Sequence, residues 1–176
     1  MIMLFSKPIA PNSRNRGFTL IEMIVVLSII GIMVIIAIPS FTRFVQSNRL
    51  TTSANDFVSC LNLARSEAIT RGVTVTVCKS SDQAACVTTG NWDQGWIVFA
   101  DPNNDGVVAS TADILRVHES LSGSATFVGD ANVANRISYA ATGFPAVLSS
   151  GNLALTIGGS TINVVMNNTG RVRTEK

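Results

Sequence analysis

From Phe18 to Ile38 the chain reads FTLIEMIVVLSIIGIMVIIAI, 21 residues with a single charge. That is the length a helix needs to cross the hydrocarbon core of a bilayer. Being apolar on every side, it cannot serve as one face of a small soluble core. Hydrophobic residues make up 47% of the chain and charged residues 14%, and the apolar excess is concentrated in this run. The remainder is rich in Gly, Ser, Thr and Asn, as in an ordinary globular domain.

The flanks of the run predict what happens to it. An ordinary signal peptide places a cleavage site after an apolar stretch of about 7–15 residues. Here a polar, basic stretch, KPIAPNSRNR, is followed by Gly17, and the run begins at once. No A-x-A-like site stands at its far end, where IPSFTRF continues into a helical pattern. The run is therefore expected to be retained and any processing to precede it. Lys7, Arg14 and Arg16 place the leader, residues 1–17, on the cytoplasmic side. Without the leader ten basic residues face eleven acidic ones. The basic pI thus belongs to the leader, and any anion-binding role must rest on a local cluster.

Glu22 stands out within the run. An ionised carboxylate there costs roughly 2.5–3.5 kcal/mol on insertion scales. Its expected partner is the α-amine freed by cleavage before Phe18, supplied by a neighbouring subunit. That pairing would neutralise the carboxylate and set the axial register of packed helices. The alternative is a carboxylate that snorkels to the interface.

RGFTLIEMIVVLSIIGIMVIIAIPSF resembles the class III signal of type IV pilins and type II secretion pseudopilins: Gly, then Phe, then Glu four residues after that Phe. The resemblance implies cleavage between Gly17 and Phe18 by a prepilin peptidase that also N-methylates Phe18. It implies that Glu22 is the assembly glutamate and that Pro39 kinks the helix.

Beyond Pro39, Leu50, Ala54, Phe57, Leu61, Ala64 and Ala68 recur at spacings of three and four, the mark of one buried helical face. Arg43, Arg49, Arg65 and Arg71 lie mainly between them, on a solvated face. Arg71-Gly72 reads as the helix end. From Gly72 the period becomes two. VTVTVC (73–78), WIVFAD (96–101), ILRVHE (114–119), ISYAA (137–141), LALTI (153–157) and TINVVM (161–166) read as strands between turns. The fold class is α+β. Its parts are a leader (1–17), a transmembrane helix (18–38), an amphipathic continuation (39–71) and a β-rich head (72–176) ending in a basic strand or tail.

Three cysteines leave one unpaired. Cys78 and Cys86 close the short loop CKSSDQAAC and are the expected disulfide in an exported chain. Cys60 falls at an apolar helical position, as a buried thiol would. LARSEAITRG, the Cys78–Cys86 loop, GNWDQGWIVFADPNNDG and ILRVHE together resemble the GspH/FimT group of minor pilins and pseudopilins. That resemblance implies a head of two antiparallel sheets laid against the helix.

Signs of chemistry are sparse. Asp101-Pro-Asn-Asn-Asp-Gly106 copies the opening of an EF-hand loop, but Ala112 stands where a bidentate Glu is required. A tight turn is the better reading. His118, the only histidine, cannot build a zinc site alone. Asn167-Asn168-Thr169 matches a glycosylation sequon that arises readily by chance. Phosphate loops and paired catalytic carboxylates are lacking, so neither an enzyme nor a cofactor is expected.

The C-terminus carries the local cluster. After NNTG, a turn-forming run, the chain ends RVRTEK, so that Arg171, Arg173 and Lys176 are three of the six bases beyond Gly72. On a strand, Arg171 and Arg173 would share one face while Val172 points to the core. Guanidinium forks suit phosphate oxygens. A charged terminal edge also keeps a strand from aggregating. GRVR resembles the GRxR signature of FimT-like minor pilins, which bind DNA during uptake for natural transformation. The resemblance implies that Arg171 and Arg173 contact double-stranded DNA without reading sequence, with Lys176 joining by charge. The competing reading is a structural pilus or type II secretion subunit that primes filament assembly and binds only major and minor pilins. Both place the chain first in the inner membrane with a periplasmic head, then, for a pilin, in an extracellular pilus.

Overall fold

The computed structural model of this chain describes residues 17–147 and 150–176. Most of the expected leader, residues 1–16, lies outside them. One helix, α1 (Leu20–Arg71), precedes eight strands: β1 (Val75–Lys79), β2 (Trp96–Ala100), β3 (Ile114–His118), β4 (Thr126–Gly129), β5 (Arg136–Tyr139), β6 (Gly151–Ile157), β7 (Ser160–Met166) and β8 (Val172–Glu175). The chain divides into two units that part between Phe41 and Thr42.

In the first unit, α1 is long and apolar enough to cross a membrane: its most apolar 18-residue window has a mean hydropathy of 3.0 and no buried residue. The helix begins two residues later than the apolar run because Thr19 caps it. The Glu22 N–H donates to Thr19 Oγ1 at 3.3 Å, and the Thr19 N–H to Glu22 Oε2 at 3.5 Å. This reciprocal pair is a capping box. Ser28 returns its hydroxyl to the Ile24 carbonyl at 2.7 Å, so it carries no unsatisfied donor into the apolar segment. Pro39 lies inside α1 and gives the Ile35 carbonyl no N–H, yet the helix continues through it.

In the second unit the face predicted by spacing is the buried face. Leu50, Ala54, Phe57, Leu61, Ala64 and Ala68 are all buried, with Cys60 beside them. The helix ends as expected at Arg71. Gly72 takes a left-handed φ of 68°, and its N–H closes on the Ala68 carbonyl at 3.0 Å. The strands form two four-stranded antiparallel sheets, β3-β2-β1-β5 and β4-β6-β7-β8. β4 is a strand that the sequence pattern does not predict.

The core gathers around Phe57. Its ring meets Trp92, Trp96 and Phe127 edge-on, at centroid distances of 5.2, 5.1 and 4.8 Å. Trp96 belongs to β2 and Phe127 to β4, so one helical side chain touches both sheets. A smaller cluster, Cys78, Ile97 and Phe99 with Cys86, Val108 and Ile114, lies on the other side of the first sheet. The Cys78–Cys86 disulfide pins the loop after β1. Cys60 remains a free, buried thiol, and burial pushes its pKa up.

Candidate functional site

The basic C-terminal edge is built by a turn and one short strand. Asn167 organises the turn: its Oδ1 accepts from the Thr169 N–H at 3.1 Å, Thr169 Oγ1 at 2.7 Å and the Arg171 N–H at 2.9 Å. Gly170 takes φ 75°, a conformation that suits glycine. β8 then pairs with β7, setting Met166 opposite Val172 and Val165 opposite Arg173. Val172 packs against the core while Arg171 and Arg173 are exposed, the alternation expected from the sequence. The strand proper starts at Val172, so Arg171 is presented by the turn. Asn167, Arg171, Val172 and Arg173 line a cavity of about 230 Å³.

The two arginines differ electrostatically. Arg173 Nε sits 2.6 Å from Glu175 Oε1, with 63% and 50% of the two side chains exposed. An exposed pair like this is worth roughly 0–1 kcal/mol, so a phosphate can displace the carboxylate. Arg171 makes no ion pair among the described residues. Lys176 lies just past the strand and is exposed. Sequence reasoning missed Glu175 as a competitor and Asn167 as the residue that positions Arg171. An Asn three residues before Gly170 was the available signal.

Tyr139 ties this turn to the core. Its hydroxyl donates to the Gly170 carbonyl at 3.2 Å and lies 3.5 Å from the Met166 sulfur. Burial pushes the phenol from its ordinary 10 up to about 12, against a smaller lowering by Arg65. Because the folded state favours the neutral phenol, the unfolded chain releases its proton first. The stability this confers is complete below pH 10 and is lost as the pH rises from 10 to about 12. Tyr139 is the only tyrosine, so phenolate absorbance reads it directly. Native protein is expected to titrate near 12 and urea-unfolded protein near 10. A native midpoint near 10 would show that the ring does not pack under the turn.

At the other end, Gly17 and Phe18 precede the helix and are exposed. Among the described residues, a side chain placed on Gly17 would meet nothing within 4 Å. Glu22 lies in the first helical turn, where among the described residues its carboxylate makes a capping contact with Thr19. That contact is long, and it leaves carboxylate lone pairs free for a second donor.

The remaining candidates have structural duties. Asp101 is buried, and its carboxylate accepts from Thr76 Oγ1 at 2.7 Å and from the Asp105 and Gly106 N–H groups at 3.1 Å. It organises its own turn, facing inward. His118 ends β3 stacked on Trp96 at 3.9 Å, with Nε2 3.8 Å from Asp56. The Asn167 of the sequon spends its carbonyl on the C-terminal turn.

Comparison with known proteins bears on both ends. A family model described as "Type II transport protein GspH" matches residues 53–170, more than half of the chain. A second, the prokaryotic N-terminal methylation motif, matches residues 12–38. The type IV minor pilin FimU of Pseudomonas aeruginosa superposes with a TM-score of 0.60 at 20% identity, over 76% of this chain and 92% of that one. The minor pseudopilin EpsH from the type 2 secretion system of Vibrio cholerae gives 0.51 at 16% identity, over 72% and 96%. These likenesses establish the type IV pilin fold. Among curated sequences, the type IV major pilin PilA of Myxococcus xanthus is 64% identical over 33 residues, 19% of this chain and 15% of PilA. A fimbrial protein of Pseudomonas aeruginosa is 40% identical over 58 residues, 33% of this chain and 37% of its own length. The chain therefore spans well under half the length of the curated relatives it matches.

Proposed function

Since the chain belongs to the GspH family and has the fold of a pilin or pseudopilin, we propose that it is a non-enzymatic minor type IV pilin whose C-terminal arginines hold DNA for uptake. The observation that carries this reading is Arg171: exposed, without an ion pair among the described residues, and fixed beside Arg173 by Asn167 and Tyr139. Two guanidinium groups on a rigid edge can each grip a phosphate oxygen. Contacts of that kind position a protein on DNA without reading bases.

The same reading assigns the N-terminus. A prepilin peptidase cuts after Gly17 and methylates Phe18, the apolar half of α1 anchors the subunit in the inner membrane with its head in the periplasm, and Glu22 pairs with the Phe18 amine of a neighbouring pilin. The subunit then enters an extracellular pilus. The alternative within the family is a purely structural subunit of a pilus or type II secretion filament, favoured by the likeness to FimU and EpsH in fold.

Anisotropy titration of labelled duplex DNA with the full chain in nonionic detergent separates the two. The double variant Arg171→Gln, Arg173→Gln is expected to bind at least about tenfold more weakly and to flatten the log–log salt slope by about 1.8, or 0.9 per lost phosphate contact. Glu175→Gln, which releases Arg173, should tighten binding a few-fold. If wild-type protein binds no duplex at low salt, or the double variant binds as well, the structural reading stands instead.

A further inference from the structure

The C-terminal turn has a neighbour that lies far from it in sequence. After β5 the chain makes a tight turn in which the Ala140 N–H donates to the Phe144 carbonyl and the Gly143 N–H to the Ala140 carbonyl, both at 2.8 Å. Tyr139 and Pro145 close the turn across an antiparallel bridge. It touches structure on both sides. A methyl placed on Gly143 would lie 2.7 Å from Ile69 Cδ1 and 3.5 Å from Arg65 Nε, and one placed on Gly170 would lie 3.2 Å from Pro145 Cδ. The turn is thus wedged between the last turns of α1 and the turn that presents Arg171.

At the tip of this wedge Phe144 leaves 52% of its surface exposed, and Ile69 beside it 55%. A solvent-facing aromatic ring forgoes the burial that usually rewards its area. Here the backbone beneath it is hydrogen-bonded, so the ring is held outward on an ordered turn. Arg65 lies against the Gly143 side of this turn, and the turn that presents Arg171 lies against its Pro145 side. Neither arginine has an ion pair among the described residues.

An aromatic face between unpaired cations is the arrangement that binds unpaired nucleic acid strands, with phosphates on the charges and a base on the ring. Duplex DNA cannot use the ring, because its bases are already stacked on one another. We propose that this surface takes an unpaired DNA strand, stacking one base on Phe144 between phosphates held by Arg65 and Arg171. The inference rests on the DNA-binding reading and adds to it two residues and a preference for unpaired strands.

Anisotropy titrations of the full chain in nonionic detergent, with an oligothymidine and with its blunt duplex, test this. Phe144→Ala should weaken oligothymidine binding about fivefold or more, the loss of one stacked base, while duplex binding stays within about twofold because its contacts are phosphates. Phe144→Leu, which keeps apolar volume without an aromatic face, should behave like Phe144→Ala, and Phe144→Trp should retain binding. Arg65→Gln should flatten the single-strand salt slope by about 0.7. If Phe144→Ala and Phe144→Leu bind oligothymidine like wild type while Arg171→Gln does not, the stacking site is wrong and the DNA reading survives. If wild type binds neither probe, both are wrong. If the Phe144 variants lose only incorporation into filaments, the patch is a pilin contact and the proposal is overturned.

Discussion

Replacing Phe57 by Ala should destabilise the head by about 3–5 kcal/mol, the range for removing a large, fully buried aromatic side chain. The site favours the upper part of that range. Phe57 is wholly inaccessible and meets three rings edge-on, and each aromatic pair adds about 0.5–1.5 kcal/mol beyond area burial. Its neighbours cannot easily collapse into the gap. Trp92 is held by its indole N–H on the Val133 carbonyl at 3.0 Å, while Trp96 and Phe127 belong to different sheets. Set against a total of about 5–15 kcal/mol, this removes a large share of the stability. The chain has two tryptophans and both lie in this cluster. Tryptophan emission during thermal unfolding therefore reports the site itself, and the midpoint should fall on the order of 10–20 °C. Exposed Asn62 on the same helix serves as control, with Asn62→Ala expected within about 0.5 kcal/mol. A Phe57→Ala loss below about 1 kcal/mol would mean that the ring does not join α1 to the sheets.

Phe57 also shows how much of the fold was legible. Its membership of a buried helical face follows from spacing alone, because a helix repeats its own period in the sequence and needs no outside information to do so. The same holds for the C-terminal end of α1, where Gly72 signals a cap in local chemistry. The division of the strands between two sheets does not follow, since pairing joins residues far apart along the chain. β4 was missed for a related reason. Of Thr126–Gly129 only Phe127 is buried, and a four-residue strand beside a Gly-Ser-rich segment presents too little alternation to detect.

The candidate site divides in the same way. Arg171 and Arg173 could be read from their spacing and the turn before them. Their surroundings could not. The Glu175 ion pair depends on side-chain geometry, and the closeness of Tyr139 and Pro145 to Gly170 depends on packing between distant parts of the chain. Each is a tertiary contact that no local pattern records. The Asp101 loop is the converse case. Its sequence copies a cation site, yet the carboxylate is turned inward and used by its own backbone, so the motif marks a turn.

Glu22→Val should leave the head folded and the chain anchored in the membrane but remove it from filaments. The apolar segment becomes more favourable to insert, because a carboxylate that costs roughly 2.5–3.5 kcal/mol is gone. Stability of the head is untouched, since its core begins at Leu50. In the proposed assembly, what is lost is the partner for a neighbouring subunit's Phe18 ammonium. Removing one member of a buried ion pair costs about 3–5 kcal/mol, because the other is left charged and unpaired. That amounts to a few hundred- to a few thousand-fold in partition from membrane to filament. Thr19→Ala separates this role from helix capping. It removes the side-chain acceptor of the Glu22 N–H while keeping the carboxylate, so a loss of about 1 kcal/mol and near-normal incorporation are expected. Immunoblots of sheared filaments against membrane fractions read both variants, with mass spectrometry of the N-terminus testing the proposed processing after Gly17. Wild-type recovery of Glu22→Val in the sheared fraction would sink the pairing. Equal loss with Thr19→Ala would instead assign the carboxylate to the capping box, whose only function is to start the helix.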